Sequence, residues 1–235
     1  MKVSRLRQAT VVAGARIIGF GAYQPSTVVT SEETAKRFGR TGEWVRGRTG
    51  IVSLRKAGAT ETVHEMAIAA GRQALANSGI EASRIGLVIV ASCSAEKPMP
   101  DVASEVAQRI GARTAGAFDL NAACAGFCYA LTVAADVVRN GSAEYVLVVG
   151  TERMTAWVDP ADLGTSILFG DGAGAAVVGP SAEPGIGPVG NTSAASIPLA
   201  LQRLVEAKAV ERDSLALLIG FGAGLSYAAQ VVTLP

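Results

Sequence analysis

The sequence is poor in the residues that most often carry catalysis and cross-linking. Its 235 residues include one histidine, His64, and three cysteines, Cys93, Cys124 and Cys128. An odd and sparse set of cysteines gives no disulfide framework and is typical of a reducing compartment, so we expect a cytoplasmic protein. No CxxC pair with further Cys or His ligands occurs, and we therefore expect no metal site.

An excess of charge of one sign and long apolar runs are missing as well. Lys and Arg number 21 against 20 Asp and Glu, so the formal net charge is +1, and no stripe of cations would bind nucleic acid. No stretch approaches the ~20 apolar residues of a membrane-spanning helix. Residues 1–23 place basic residues before an apolar run, as a signal peptide does, but Arg16 interrupts that run and a strand is the better interpretation. We expect neither nucleic acid nor a membrane as a partner.

The residues that are present predict an α/β fold. Hydrophobic residues make up 49% of the chain, and 27 glycines with only 5% aromatics indicate a core with close backbone packing. Apolar runs rich in β-branched residues alternate with segments of helical periodicity. The predicted strands are 15–23, 85–92, 115–120, 144–150 and 166–179, and the predicted helices are 61–78, 100–111 and 122–139. This alternation is typical of a mostly parallel sheet.

Two glycine-rich segments indicate an internal repeat. "LFGDGAGAAVV" (168–178) and "LIGFGAGLSYAAQVV" (218–232) both carry Leu, then Gly-x-Gly-Ala-Gly, then a strand of small and β-branched residues. We therefore divide the chain into a first half, 1–187, and the remnant of a second half, 188–235, which lacks its opening strand, helix and strand. Chance similarity between glycine-rich strands is the alternative. A strand pattern follows "FGDGAG", so this segment is not a dinucleotide-binding loop.

"DLNAACAGFCYAL" (119–131) places Cys124 where an apolar strand gives way to a helix. The thiolate is the reactive form of cysteine, and the first turn of a helix favours negative charge. Small neighbours would let a substrate carbonyl approach a backbone N–H beside the sulfur. The alternative is a buried cysteine that only packs, which is the interpretation we prefer for Cys93 and Cys128. His64 lies in an acidic helix, and we expect it at the surface.

Two further segments are candidates for binding. "EWVRGRTGI" (43–51) offers Trp44, Arg46 and Arg48 near a turn, and an indole with two cations could hold a phosphorylated adenine ligand. The alternative is a surface turn without a ligand. "GNTSAAS" opens a helix, and its Asn191 either caps that helix or presents its amide to a reacting oxygen.

Taken together, these segments resemble β-ketoacyl-[acyl carrier protein] synthase III, the initiating condensing enzyme of type II fatty acid synthesis. The style is that of actinobacterial fatty acid and polyketide priming enzymes. The resemblance rests on "DLNAACAGFCYAL", "EWVRGRTGI", "LFGDGAGAAVVGP", "GNTSAASIPLAL" and "IGFGAGLSYAAQVV", which cover nearly the whole chain in order. It implies a homodimer with a thiolase-like fold, in which two βαβαβαββ halves form a five-layered αβαβα sandwich. The second half is incomplete in this chain.

The resemblance also implies a mechanism that needs no cofactor besides acyl-CoA as substrate. Cys124 would take the acyl group from acyl-CoA as a thioester. Malonyl-[acyl carrier protein] would then lose CO₂ and attack that thioester, giving a 3-oxoacyl product. Asn191 matches the asparagine that stabilises the enolate together with a histidine. Ala223 matches the second backbone N–H of the oxyanion hole.

Four residues match the family's substrate-binding positions. Trp44, Arg48 and Thr49 correspond to the CoA entrance. Met99 corresponds to a residue that crosses the dimer interface and shapes the partner's acyl pocket. One position departs from the pattern, because a second CoA-contacting arginine of some members would fall near Ala156.

The family's "PHQAN" segment, which would supply the catalytic histidine, is missing before Asn191. Removing inner strands from a sheet would leave edges and apolar faces uncovered. We therefore prefer the interpretation that the sequence joins two stretches of a longer protein and omits the segment between them. A true deletion is the alternative. Two other functions also remain open: an acyltransferase of the same fold that passes the acyl group to an alcohol or amine, and a non-catalytic partner protein.

Overall fold

A five-stranded sheet forms the framework of this protein. The computed structural model describes residues 12, 14–181, 186–187, 198, 201, 204, 214–222 and 226–234. The strands of the sheet are β1 (Gly14–Tyr23), β4 (Ile85–Ala91), β5 (Gly116–Leu120), β6 (Tyr145–Arg153) and β7 (Asp171–Ser181). Their spatial order is β1-β7-β6-β4-β5. All five predicted strands are confirmed, although β7 begins later than predicted.

Helices and a small hairpin surround this sheet. The helices are α1 (Ser31–Lys36), α2 (Gly42–Thr49), α3 (Val63–Ser78), α4 (Val102–Ile110), α5 (Gly126–Arg139) and α6 (Leu163–Ser166), and the hairpin strands are β2 (Thr27–Thr30) and β3 (Ser53–Lys56). The predicted start of α1 is confirmed, because Thr30 and Glu33 form a reciprocal capping box. The predicted end of α3 is confirmed too, since Gly79 follows it in the left-handed conformation.

The prediction of a mostly parallel sheet is wrong for half of the strand pairs. β4 pairs in parallel with β5 and with β6, whereas β7 pairs antiparallel with β6 and with β1. A parallel neighbour requires a long crossover, usually a helix. After β6 the chain forms only short turns and the four-residue α6 before β7 begins, so β7 returns in the opposite direction.

The central strands are buried on both faces, because their alternate side chains enter two separate cores. In β6, Leu147 and Val149 pack against α3 and α4, whereas Val146 and Val148 pack against α5. The predicted apolar stripe of α5 is confirmed, and each of its members is buried: Phe127, Leu131, Ala134, Ala135 and Val138.

A second sheet covers the outer side of α5. It contains β8 (Ile186–Gly187), β9 (Leu215–Gly222) and β10 (Ser226–Thr233), all antiparallel, in the order β8-β10-β9. Leu218, Val232 and Leu234 join the core around α5. The described layers are therefore helices, sheet, helix and sheet, in the order that the sandwich requires. The predicted helix at about 192–207 lies largely outside the described residues.

Close approach between β1 and α3 explains one of the many glycines. A Cβ atom placed on Gly21 would lie 2.2 Å from the carbonyl oxygen of Ala70 and 2.3 Å from the amide nitrogen of Ala74. Both atoms belong to the backbone of α3, so neither can move aside as a flexible side chain would. Glycine is therefore the residue that lets this helix lie directly on the strand.

We expect Gly21→Ala to lower the free energy of unfolding by about 1–3 kcal/mol or more, because the added methyl group overpacks this contact. Gly47→Ala is the matched control. Gly47 lies within α2, and no atom comes within 4 Å of the position its Cβ would occupy. This control should raise stability by up to about 1 kcal/mol through helix propensity. Urea unfolding monitored by circular dichroism measures both values, and equal changes in the two variants would contradict the assignment.

Candidate active site around Cys124

Cys124 lies in a strained turn between β5 and α5. Residues Ala123–Ala125 form one turn of 3₁₀-helix, and α5 begins at Gly126, two residues after the position predicted for its first turn to hold the cysteine. Ala123 has a φ of +45°, which a residue with a side chain seldom adopts, and its amide donates to Asn121 Oδ1 at 3.2 Å. Backbone strain of this kind persists where surrounding structure imposes it, often at functional sites.

The surroundings of Cys124 suit an approaching substrate. Its side chain is half-buried, and Ala125, the N-cap residue of α5, provides no side-chain acceptor for the first turn of the helix. The positive end of a 14-residue helix thus lies next to the sulfur without a competing anionic cap. The Cys124 turn also contacts β9 and β10 of the second sheet, so it lies at the junction of both halves.

The other two cysteines are held as neutral thiols. Cys128 is fully buried in α5, and burial raises the pKa of its thiol to about 11. Burial, followed by the nearby charge of Glu152, raises the pKa of Cys93 to about 12. Cys124 contributes to this rise, so the Cys93 and Cys124 thiols are close enough to interact electrostatically. The expectation that Cys128 serves packing is confirmed by its burial.

The structure places His64 away from Cys124. His64 lies on α3, which packs on the face of the sheet opposite to α5. Its Nε2 is 3.7 Å from Oε2 of Glu105, in a partly exposed contact between α3 and α4. This confirms the expected surface position.

The "EWVRGRTGI" segment is a helix, so its interpretation as a turn is wrong. Thr41 caps the N-terminus of α2 by accepting from the amide of Trp44, and Gly50 ends the helix in the left-handed conformation. The sequence signal was a Thr cap followed by a glycine stop, which the three glycines of the segment obscured. The guanidinium carbons of Arg48 and Arg40 lie 4.4 and 5.2 Å from the Trp44 ring centroid. Sequence reasoning missed Arg40.

These cations are available to an anionic ligand. None of the ion pairs within the described ranges involves Arg40, Arg46 or Arg48. Trp44 is half-buried and packs on a small core of Ala35, Val45 and Ile167, which fixes the indole. Thr49 has a structural role as well, since its hydroxyl donates to the carbonyl oxygen of Val45 at 2.9 Å and accepts from the amide of Ile51 at 3.0 Å.

Met99 is the most exposed of the large hydrophobic residues described, at 81%. It lies in the loop between β4 and α4. Asp119 of β5 anchors this loop by accepting from the amides of Val102 and Ala103 at 2.9 and 2.8 Å. An exposed methionine on an anchored loop has the position expected of a residue that enters a partner subunit.

The remaining predicted residues are Asn191 and Ala223, and both lie outside the described residues. Gly222 of β9 and Ser226 of β10 pair across the hairpin that contains Ala223. Arg153, the nearest arginine to Ala156 in sequence, already has partners: its guanidinium donates to the carbonyl oxygen of Gly58 at 3.1 Å and lies 3.6 Å from Glu96.

Comparison with known proteins identifies the family. Models of 3-oxoacyl-[acyl-carrier-protein] synthase III and of its C-terminal part match residues 118–195 and 185–234. The β-ketoacyl-[acyl-carrier-protein] synthase III 1 of Streptomyces coelicolor is 35% identical, over 99% of this chain and 100% of that relative. This chain belongs to the β-ketoacyl-[acyl-carrier-protein] synthase III family. The synthase III of Streptomyces glaucescens is also 35% identical, with the same coverage of both proteins.

Solved structures of synthase III proteins confirm the thiolase-like α/β fold. The priming β-ketosynthase of the R1128 polyketide pathway superimposes with a TM-score of 0.93 at 35% identity, over 99% of each chain. The synthase III of Aquifex aeolicus superimposes with a TM-score of 0.87 at 27% identity, over 94% of this chain and 100% of that one. Within the part of the chain that the structure describes, no helix is long and apolar enough to cross a membrane.

The comparison also measures the internal break. The alignment with the Streptomyces coelicolor synthase III spans 343 positions, 108 more than the 235 residues of this chain. At least that many aligned positions therefore have no residue here, although both ends of the relative are matched. The prediction of a missing internal segment is confirmed.

We expect iodoacetamide to modify Cys124 well before Cys93 or Cys128 in the folded protein. With pKa values of about 12 and about 11, these two thiols are ionised to only about 10⁻⁴ and 10⁻³ at a pH of about 8, and the thiolate is the form that reacts. Mass spectrometry of the digested protein measures each site, and labelling in denaturant, where all three should react alike, is the control. Labelling of Cys93 at the denatured rate in folded protein would contradict this.

Proposed function

We propose that this protein condenses an acyl-CoA starter with malonyl-[acyl carrier protein] through a thioester on Cys124, giving a 3-oxoacyl-[acyl carrier protein]. The observation that carries this assignment is the Cys124 turn: a strained backbone that holds one half-buried thiol at the uncapped start of α5. The synthase III relatives identified above are named for the same condensation.

In the first half-reaction, the Cys124 thiolate attacks the acyl carbon of acyl-CoA. The carbonyl electrons move to oxygen, where backbone N–H groups of the oxyanion hole stabilise the charge, and we assign one of these to Ala223. Collapse of this intermediate forms the Cys124 thioester and releases CoA as its thiolate. The helix dipole at the start of α5 stabilises the negative charge before and during the attack.

In the second half-reaction, malonyl-[acyl carrier protein] loses CO₂ and leaves an enolate. The carbanion carbon attacks the Cys124 acyl carbon, a carbon–carbon bond forms, and the Cys124 thiolate departs. We assign stabilisation of the enolate to Asn191. In the family a histidine shares this role, and this chain has no histidine other than His64.

We assign the CoA entrance to α2. The Trp44 indole offers a flat apolar surface for adenine, and Arg48 offers charge for phosphate, with Thr49 completing the end of the helix. The acyl-CoA ligand is a substrate, and we assign no cofactor and no metal ion.

We also propose a cytoplasmic homodimer. None of the three cysteines forms a disulfide, in keeping with a reducing compartment. β5 is an edge strand whose Phe118 is 39% exposed, and Met99 is exposed on the neighbouring loop. A second copy that covers this edge would bury both side chains.

Incubation with acetyl-CoA should add one acetyl group, and peptide mass spectrometry should locate it on Cys124. Cys124→Ser should abolish the adduct. Cys128→Ser, which changes a thiol in the same helix, should retain it because Cys128 is buried away from substrate. Wild-type protein without an adduct would favour the non-catalytic partner function, and transfer of the group to an alcohol or amine without CO₂ release would favour an acyltransferase.

Condensation should be about 10²–10³-fold slower than in a relative that retains the histidine, because loss of one donor to a developing oxyanion typically costs that much. Acylation of Cys124 should be affected less, since the groups that support it are the thiol, the helix and backbone N–H groups. CO₂ release from malonyl-[acyl carrier protein] measures the second step separately. Condensation at the rate of the relative would show that another group replaces the histidine.

A further inference from the structure

A buried carboxylate that the proposed chemistry does not use lies beside the candidate nucleophile. Glu152 is the last buried residue of β6, with 3% of its surface exposed. Its Oε1 accepts from the amide of Cys93 at 3.0 Å, and its Oε2 accepts from the hydroxyls of Ser92, at 3.3 Å, and Ser94. All three donors belong to residues 92–94, directly after β4. One carboxylate therefore holds a complete tripeptide.

Ser94 ties the same tripeptide to the residues after β6. It is 1% exposed, and all its polar groups are used. Its hydroxyl donates to Glu152 and accepts from the amide of Arg153 at 2.8 Å, its amide donates to Ser92 Oγ at 3.2 Å, and its carbonyl accepts from Trp157 Nε1 at 3.0 Å. Such a fully satisfied buried network is rigid, because each broken bond would leave a polar group unpaired.

This network holds the Cys93 thiol in the neighbourhood of Cys124. Cys93 Sγ lies 3.9 Å from Met154 Sδ, and Ser92 donates through its amide to the carbonyl oxygen of Leu120 at 3.2 Å. Leu120 ends β5, immediately before the turn that carries Cys124. The groups that act on the Cys93 thiol are Glu152 and Cys124, whereas the Arg153 guanidinium is engaged with Gly58 and Glu96.

Two thiols in one site create a chemical difficulty for a thioester intermediate. A thiolate at Cys93 could attack the acyl carbon on Cys124, form a new C–S bond and release the Cys124 thiolate. The product would be an isomeric thioester of similar energy, placed away from the malonyl carbanion. Only the thiolate reacts in this way, so a nearby anion that disfavours ionisation of Cys93 suppresses the transfer.

We propose that Glu152 is a positioning residue that holds Cys93 against Met154 as a neutral thiol, so that the acyl group stays on Cys124. This inference rests on the proposed acylation of Cys124. It gives the buried carboxylate two tasks: its oxygens fix residues 92–94, and its charge keeps the second thiol out of the reaction.

Glu152→Gln separates the two tasks. Glutamine has nearly the same shape, its carbonyl oxygen can accept from the Cys93 amide, and its amide group can donate to the serine hydroxyls. The variant thus preserves hydrogen-bonding capacity and removes the negative charge. Glu144→Gln is the matched control, because Glu144 directly precedes β6 and forms an exposed ion pair with Arg84. Glu152→Asp, which retains the charge, tests for rescue.

The measurement is the pH dependence of iodoacetamide labelling at Cys93, read by peptide mass spectrometry. In wild type and Glu144→Gln the midpoint should lie well above the value of about 9 for an ordinary thiol. In Glu152→Gln it should fall by at least about one pH unit, which is about a 10-fold faster reaction at a given pH below both midpoints. Glu152→Asp should restore a high midpoint. After incubation with acetyl-CoA, part of the acetyl group should appear on Cys93 in Glu152→Gln alone.

An unchanged Cys93 midpoint in a folded Glu152→Gln variant would overturn the proposal, since a purely structural carboxylate would change stability only. If that variant does not fold, the wild-type profile decides, because a Cys93 midpoint near pH 9 is incompatible with a protective carboxylate. The labelling experiment needs no acyl-CoA. Absence of acetylation at Cys124 would therefore refute the proposed function without affecting the result at Cys93.

Discussion

The parallel pairing of β4 with both β5 and β6 is the constraint on which the candidate site depends. Ala91 pairs with Leu120 on one side and with Gly150 on the other, so the three strands end at one edge of the sheet. The segments that follow these ends hold Cys93, Cys124 and Glu152, which are separated by up to 59 residues in sequence. Neighbouring parallel strands cannot deliver their following loops to opposite edges. The thiol pair and its carboxylate are therefore consequences of topology, and local sequence only decides which side chains arrive there.

Burial of this sheet on both faces makes the edge rigid enough for chemistry. Alternate residues of β4, β6 and β7 pack against α3 and α4 on one side and against α5 on the other. With few aromatic residues available, this packing relies on Val, Ile, Ala and Gly, and helices must approach the sheet closely, as α3 does at Gly21. α5, the helix that begins beside Cys124, is itself packed between two sheets. A strained φ at Ala123 can persist there because the elements before and after it are both held in place.

The sequence predicted the parts of this fold that depend on local patterns. Continuous runs such as 85–92 indicated strands buried on both faces, and Thr30 with Glu33 indicated the start of α1, because neither signal requires knowledge of distant contacts. The direction of β7 could not be predicted, since it depends on how the chain returns after β6. The glycine content of 42–50 concealed α2, whose stability comes from a Thr41 cap and from packing of Trp44 and Val45. For the site, the small residues around Cys124 were informative. The role of Glu152 had no local signal, because all three of its hydroxyl and amide donors come from another strand.

The internal break divides the chemistry unequally. The hydrogen bonds of the five-stranded sheet lie entirely within residues 14–181, and the second sheet adds only a few side chains, among them Leu218 and Val232, to the core around α5. The thiol, the start of α5, the α2 cations and the Glu152 network all belong to this first half. The missing positions fall in the half that would supply the histidine, and there β9 has an unpaired edge among the described residues, where Leu215 is 73% exposed. Formation of the thioester therefore depends on a part of the structure that is complete in itself. Formation of the carbanion depends on the part that the break has reduced, and this physical separation allows the two half-reactions to be affected to different degrees.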